Sequence, residues 1–90
     1  MYEIIISKQV SKALDKLNDD FVKLFWEKAQ IISKNPFDTK SNLDITSLKG
    51  RPKGFYRLRI GSFRFLYEIR KREIIIYFFK VDTRGDVYKK

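Results

Sequence analysis

Residues 55–69 read Phe55-Tyr56-Arg57-Leu58-Arg59-Ile60-Gly61-Ser62-Phe63-Arg64-Phe65-Leu66-Tyr67-Glu68-Ile69, with apolar and polar side chains alternating on both sides of Gly61-Ser62. A period of two predicts a pair of strands, and a Gly-Ser pair between them suits a two-residue type II′ turn, whose first position needs φ > 0. That turn fixes the register. Ile60 falls opposite Phe63, Arg59 opposite Arg64, Leu58 opposite Phe65 and Tyr56 opposite Tyr67. Like charges facing each other across a sheet cost from a few tenths up to roughly 1 kcal/mol. An anion between Arg59 and Arg64 would reverse that sign. Alternation also puts Arg57 on the face of Arg59 and Arg64. It does not say which of Tyr56, Leu58, Phe63, Phe65 and Tyr67 are core and which flank the arginines.

Outward from this hairpin the elements follow in order. Tyr2 to Ile6, with β-branched Ile4, Ile5 and Ile6, predicts a first strand. Ser7 then caps a helix in which Val10, Ala13, Leu14 and Leu17 form one apolar stripe. Asn18-Asp19-Asp20 interrupts that helix and starts a second, where two carboxylates suit the positive end of the helix dipole. Its apolar side is Phe21, Leu24, Phe25, Ala29, Ile31 and Ile32, and Asn35-Pro36 ends it. From Phe37 to Gly54 the chain is polar and turn-rich, which predicts a long connection with one helical turn at most. Phe55–Ile60, Phe63–Arg70 and Glu73–Val81 are the remaining strands. The run Ile74-Ile75-Ile76-Tyr77-Phe78-Phe79 suits a strand inside the sheet. The expected fold class is therefore α+β. An N-terminal strand and a helical hairpin are followed by a three-stranded antiparallel meander, forming one sheet packed against the helices.

Composition narrows the chemistry. The chain of 90 residues, read as one domain over 1–90, carries 20 Lys and Arg against 11 Asp and Glu, a formal charge of +9. Such a charge points to a polyanionic partner: nucleic acid, an anionic membrane or an acidic protein. No apolar run nears the roughly 20 residues of a membrane span, and no signal peptide is recognisable. A cytoplasmic protein without a membrane partner is expected. Cysteine and histidine are both absent, which removes thiolate chemistry, the usual general base and the commonest metal ligand. No cofactor and no metal site is suggested by any spacing. Acid–base work falls to Tyr, Lys or a carboxylate, because arginine does not deprotonate in proteins.

The opening strand, the Lys-rich helical hairpin, Asn35-Pro36, Leu48-Lys49-Gly50, Tyr56 to Gly61, Phe63 to Ile69 and Val81-Asp82-Thr83-Arg84-Gly85-Asp86-Val87-Tyr88 together resemble the RelE/ParE superfamily of toxin–antitoxin toxins, and RelE more than ParE. The Arg-x-Arg before the turn with Arg after it is the specific part. The resemblance implies a ribosome-dependent endoribonuclease, an mRNA interferase that inhibits translation and is silenced by a cognate RelB-like antitoxin in a hetero-oligomer. It implies that Arg57 and Arg59 contact RNA and the scissile phosphate and that Arg64 stabilises transition-state charge. Arg84 would lie near the leaving group or phosphate, and Tyr88 would stack on a base or move a proton. Some members carry lysines at the positions of Arg57 and Arg59, and the step from Arg84 to Tyr88 is shorter here than in some.

Cleavage of this kind needs no metal when the neighbouring 2′-hydroxyl of the RNA attacks the phosphorus. The protein then has to align the attack and neutralise the phosphorane oxygens, and fixed guanidiniums suit that task. Tyr88, with an ordinary pKa of about 10, is the proton handler this reading leaves, made more acidic by neighbouring arginines. Lys49, Arg51 and Lys53 add cations before the first hairpin strand and are expected to bind RNA phosphate. Lys8, Lys12, Lys16, Lys23, Lys28 and Lys34 suit a solvated helix surface, or ribosomal RNA with steep salt dependence. Tyr56, Tyr67 and Trp26 are expected to pack. Two other functions remain open: a ParE-like toxin acting on DNA gyrase without nuclease activity, and a non-catalytic RNA-binding module.

Overall fold

The computed structural model describes residues 1–37 and 42–83. The chain opens with β1 (Glu3–Ile6) and turns at Ser7 into α1 (Lys8–Asp15). Ser7 does two things at this corner. Its Oγ accepts the Val10 N–H, capping the helix, and donates to the Phe79 carbonyl, which ties the helix start to the last strand. Asn18 caps α2 (Asp19–Lys34) by accepting the Phe21 N–H, and Asn35 closes it. As expected, the helices form a hairpin across a very short turn.

Four more strands follow: β2 (Asp44–Ser47), β3 (Phe55–Ile60), β4 (Phe63–Arg70) and β5 (Ile75–Thr83). Their order in the sheet is β1-β5-β4-β3-β2, antiparallel except for the β1–β5 pair. The predicted α+β layout holds, as does the predicted hairpin register. Ile60 pairs with Phe63, Arg59 with Arg64, Leu58 with Phe65 and Tyr56 with Tyr67. Gly61 has φ +60° and Ser62 does not share it, the signature of a type II′ turn.

Three features depart from expectation. The connection from Phe37 to Gly54 contains β2, which pairs Asp44 with Arg59 and Thr46 with Arg57. A four-residue edge strand with Ile45 as its one apolar side chain has too little pattern to register as a strand. The last strand begins at Ile75 rather than Glu73, because Ile74 adopts φ +59° in the turn and breaks the apolar run there. Leu24 and Ile31 of α2 are exposed. The helix buries a narrower stripe, Phe25, Ala29, Ile32 and Ser33, and the Ser33 hydroxyl is satisfied by donating to the Tyr2 carbonyl.

The core lies between the helices and one face of the sheet. Phe25 is its hub, with ring centroids 4.7 Å from Phe65 and 5.1 Å from Phe78. Val10, Leu14, Leu58, Ile60, Tyr67 and Ile76 close around it, and Trp26 packs edge-on against Phe25. The aromatic residues left unassigned by alternation all fall on this side: Tyr56 stacks on buried Tyr67 at 5.6 Å, and Phe63 meets Phe21 at 5.0 Å. No helix among the described residues is long and apolar enough to cross a membrane.

Candidate functional site

With Leu58, Ile60, Phe65, Tyr67 and Ile69 committed to the core, alternation sends Arg57, Arg59 and Arg64 to the face that the helices leave open. Register then sorts that face into rows running across the strands. One row is Asp44–Arg59–Arg64–Asp82, and the next is Thr46–Arg57–Leu66–Lys80. The predicted Arg59–Arg64 opposition is present, but it is bracketed by a carboxylate on each side.

This changes how the pair is satisfied. Arg59 already has an anion, since its Nε lies 3.0 Å from Asp44 Oδ2, with both side chains about half exposed at 53% and 50%. At that exposure the pair is screened and contributes at most about 1 kcal/mol. Arg64 differs. Its neighbour in register is Asp82, yet no ion pair joins them, and Arg64 Nε is buried without a hydrogen-bond partner among the described residues. Arg57 Nε is in the same condition. A buried donor left unpaired costs about 1–3 kcal/mol, so each is a standing demand for an acceptor. Lys80, exposed and without an ion pair among the described residues, adds charge at the β5 end of the Arg57 row, across Leu66.

Lys80 reaches this row because of a bulge. Leu66 pairs with Lys80 but Tyr67 with Phe78, so Phe79 is an extra residue in β5. Without it Lys80 would point at the helices. A bulge of this kind re-aims side chains, and neither it nor the unpatterned β2 leaves a clear mark in the sequence. Lys80, Asp44 and Asp82 were therefore missed as members of this face.

The chain matches the family described as ParE toxin of the type II toxin–antitoxin system parDE over residues 4–88. The chain belongs to the RelE/ParE toxin superfamily. A curated relative from Methanocaldococcus jannaschii, which carries the provisional name toxin RelE1, is 35% identical over 88 residues, 98% of this chain and 96% of the relative. Among solved structures, the archaeal RelE–RelB complex from Pyrococcus horikoshii OT3 is similar with a TM-score of 0.79 and 30% identity, covering 93% of this chain and 96% of that one. The isolated E. coli RelE toxin shares the fold at a TM-score of 0.76 and 17% identity, over 98% of this chain and 92% of that one.

In this RelE/ParE chain the other expected residues distribute as follows. Lys49, Arg51 and Lys53 are all exposed in the loop before β3. Arg51 is turned onto the open face, with its guanidinium carbon 5.4 Å from the Phe55 ring centre and 5.5 Å from that of Phe79. Tyr56 and Tyr67 pack, as expected; burial above all, with Tyr56 alongside, pushes the Tyr67 phenol well above its ordinary pKa. Arg84 and Tyr88 lie outside the described residues.

Proposed function

We propose that this RelE/ParE toxin is a ribosome-dependent endoribonuclease that cuts messenger RNA in the cytoplasm without a metal ion. The observation that carries the reading is that Arg57 and Arg64, mounted on adjacent strands of one open face, each have a buried Nε without a partner among the described residues. The sheet fixes where these two half-buried guanidiniums sit, so their charge is in place when charge develops on a bound phosphate, which is how electrostatic catalysis gains its rate.

In this reading Arg57 and Arg59 hold the RNA backbone. Lys49, Arg51 and Lys53 extend the basic track, and Lys80 reinforces it. The 2′-hydroxyl beside the scissile phosphate attacks phosphorus while the 5′-oxygen of the next nucleotide leaves, giving a cyclic 2′,3′-phosphate and a free 5′-hydroxyl. Arg64 stabilises the charge gathered on the non-bridging oxygens. Tyr88, as its phenolate, takes the proton from the 2′-hydroxyl, and the leaving 5′-oxygen takes a proton from water while the Arg84 guanidinium beside it stabilises its charge. Arg59 enters at a cost, since the RNA phosphate has to compete with Asp44 for it.

Antitoxin control is the other half of the reading. Solved relatives include RelE in complex with RelB, from Pyrococcus horikoshii among others, and a chain of formal charge +9 suits an acidic, RelB-like partner that folds as it wraps the toxin. The match to a family described as ParE keeps a second reading in play, a toxin that inhibits DNA gyrase. Primer extension on cellular messages after brief induction separates the two. Codon-phased cuts are the expected result; DNA breaks with intact messages would overturn the nuclease reading in favour of the gyrase one.

A further inference from the structure

Next to the arginine rows, the open face carries a strip of aromatic rings that the phosphate chemistry does not use. Phe55 and Phe79 meet edge to face at 5.9 Å, and Tyr77 lies 6.3 Å from Phe79. All three are half-buried and lie away from the core cluster. Each is roofed by a cation: Arg51 over Phe55 and Phe79, Arg70 over Tyr77 at 4.8 Å. The two roofs differ. Arg70 also binds the Glu68 carboxylate at 3.1 Å, whereas Arg51 forms no ion pair among the described residues and remains exposed. Its charge is thus held against rings and uncompensated by any carboxylate.

We infer that Arg51, supported from below by Phe55 and Phe79, is a stacking subsite for an unpaired nucleobase of a single-stranded RNA. The inference rests on the proposed function and gives Arg51 a role other than phosphate binding. A guanidinium is planar, and its outer side is as suited to a base as its inner side is to a phenyl ring. Single strands are held by such platforms together with a cationic track for the backbone. Both parts are present here at the right spacing. Phe55 and Arg57 are two residues apart on one strand face, about 6.6 Å, so a base over Arg51 leaves its phosphate within reach of Arg57 and Lys80. Duplex RNA would not do, because its bases are already stacked on one another.

The test uses the full chain and a fluorescein-labelled 2′-O-methyl tetranucleotide, which has no free 2′-hydroxyl and is not cut. Abasic sites are introduced one position at a time, and affinity is read by anisotropy at low salt. At one position, loss of the base is expected to weaken binding roughly 5- to 150-fold, the range that stacking on an aromatic platform gives per base. Arg51→Ala and Phe79→Leu should erase that penalty, while Arg64→Ala weakens intact and abasic strands alike. Arg51 is exposed, so its variant keeps the test usable if Phe79→Leu misfolds.

Equal affinity at every position, or no binding of the wild-type chain, overturns the subsite. So does an Arg51→Ala variant that melts earlier but keeps the penalty, since Arg51 is then only a brace for its loop. Binding of an Asp/Glu-rich peptide in place of the strand would assign the strip to a protein partner and likewise overturn it. Because the probe cannot be cleaved, a base penalty without message cutting in cells would sink the nuclease reading and leave the subsite standing.

Discussion

On β4, Phe65, Tyr67 and Ile69 turn toward the helices and are buried, while Arg64, Leu66, Glu68 and Arg70 on the same strand turn away from them. The helix-covered side packs ring against ring and satisfies the Ser33 hydroxyl, with Thr83 Oγ1, in register with Phe63 on that side, the one side-chain atom left buried and unpartnered there among the described residues. The open side departs further, setting Arg59 against Arg64 and leaving two charged side chains with buried Nε atoms that have no acceptor among the described residues. Both sides come from neighbouring residues, so parity along one hairpin separates stability from chemistry. Violations of local consistency gather where a protein binds something.

That comparison can be broken from the core side first. Phe65→Ala removes a fully buried ring that touches Phe25 and is expected to cost about 3–5 kcal/mol in urea unfolding. A loss under 1 kcal/mol would mean that the covered face is not what holds the fold. Tyr67 sharpens the point through pH. Its phenol is held protonated in the folded chain, while the unfolded chain ionises it near pH 10. The folded state then binds the extra proton, so stability present below that pH falls above it by up to about 1.4 kcal/mol per pH unit. Tyr67→Phe should flatten this slope between pH 10 and roughly 11 in unfolding measurements, and an unchanged slope would contradict the assignment.

The next two effects are smaller. Ile74 is β-branched, exposed and held at φ +59°, a conformation costing roughly 1–2 kcal/mol for such a residue. Ile74→Gly should therefore raise the thermal midpoint although it removes an apolar side chain, and a lower midpoint would refute the strain. Asp44→Asn frees Arg59 from its half-exposed ion pair. Binding of the uncleavable RNA should tighten by up to about fivefold, since such pairs contribute at most about 1 kcal/mol, with little change in stability. Weaker RNA binding would show that Asp44 orients Arg59 for the ligand and does not compete with it.

The parts of this molecule that follow a period were legible in the sequence. The hairpin register from Phe55 to Ile69, the Ser7 and Asn18 caps and the face shared by Arg57, Arg59 and Arg64 all came from alternation and turn chemistry. What interrupts a period was not. The bulge at Phe79 brought Lys80 to the arginines, the left-handed Ile74 shortened β5, and β2 delivered Asp44 from a stretch without pattern. These arise from pairing with strands far along the chain, so local reading saw an anion demand at Arg59 that Asp44 had already met. The demand moved to Arg64 and Arg57.

Arg64→Ala therefore tests the account most directly, measured as the single-turnover rate of cutting ribosome-bound message alongside the urea unfolding midpoint of the same protein. The account predicts a rate lower by about 10²–10³ with stability unchanged or raised by up to about 1–3 kcal/mol, because the variant removes an unpaired buried donor from the open face and nothing from the core. An unchanged cutting rate, or a loss matched by unfolding, would contradict it.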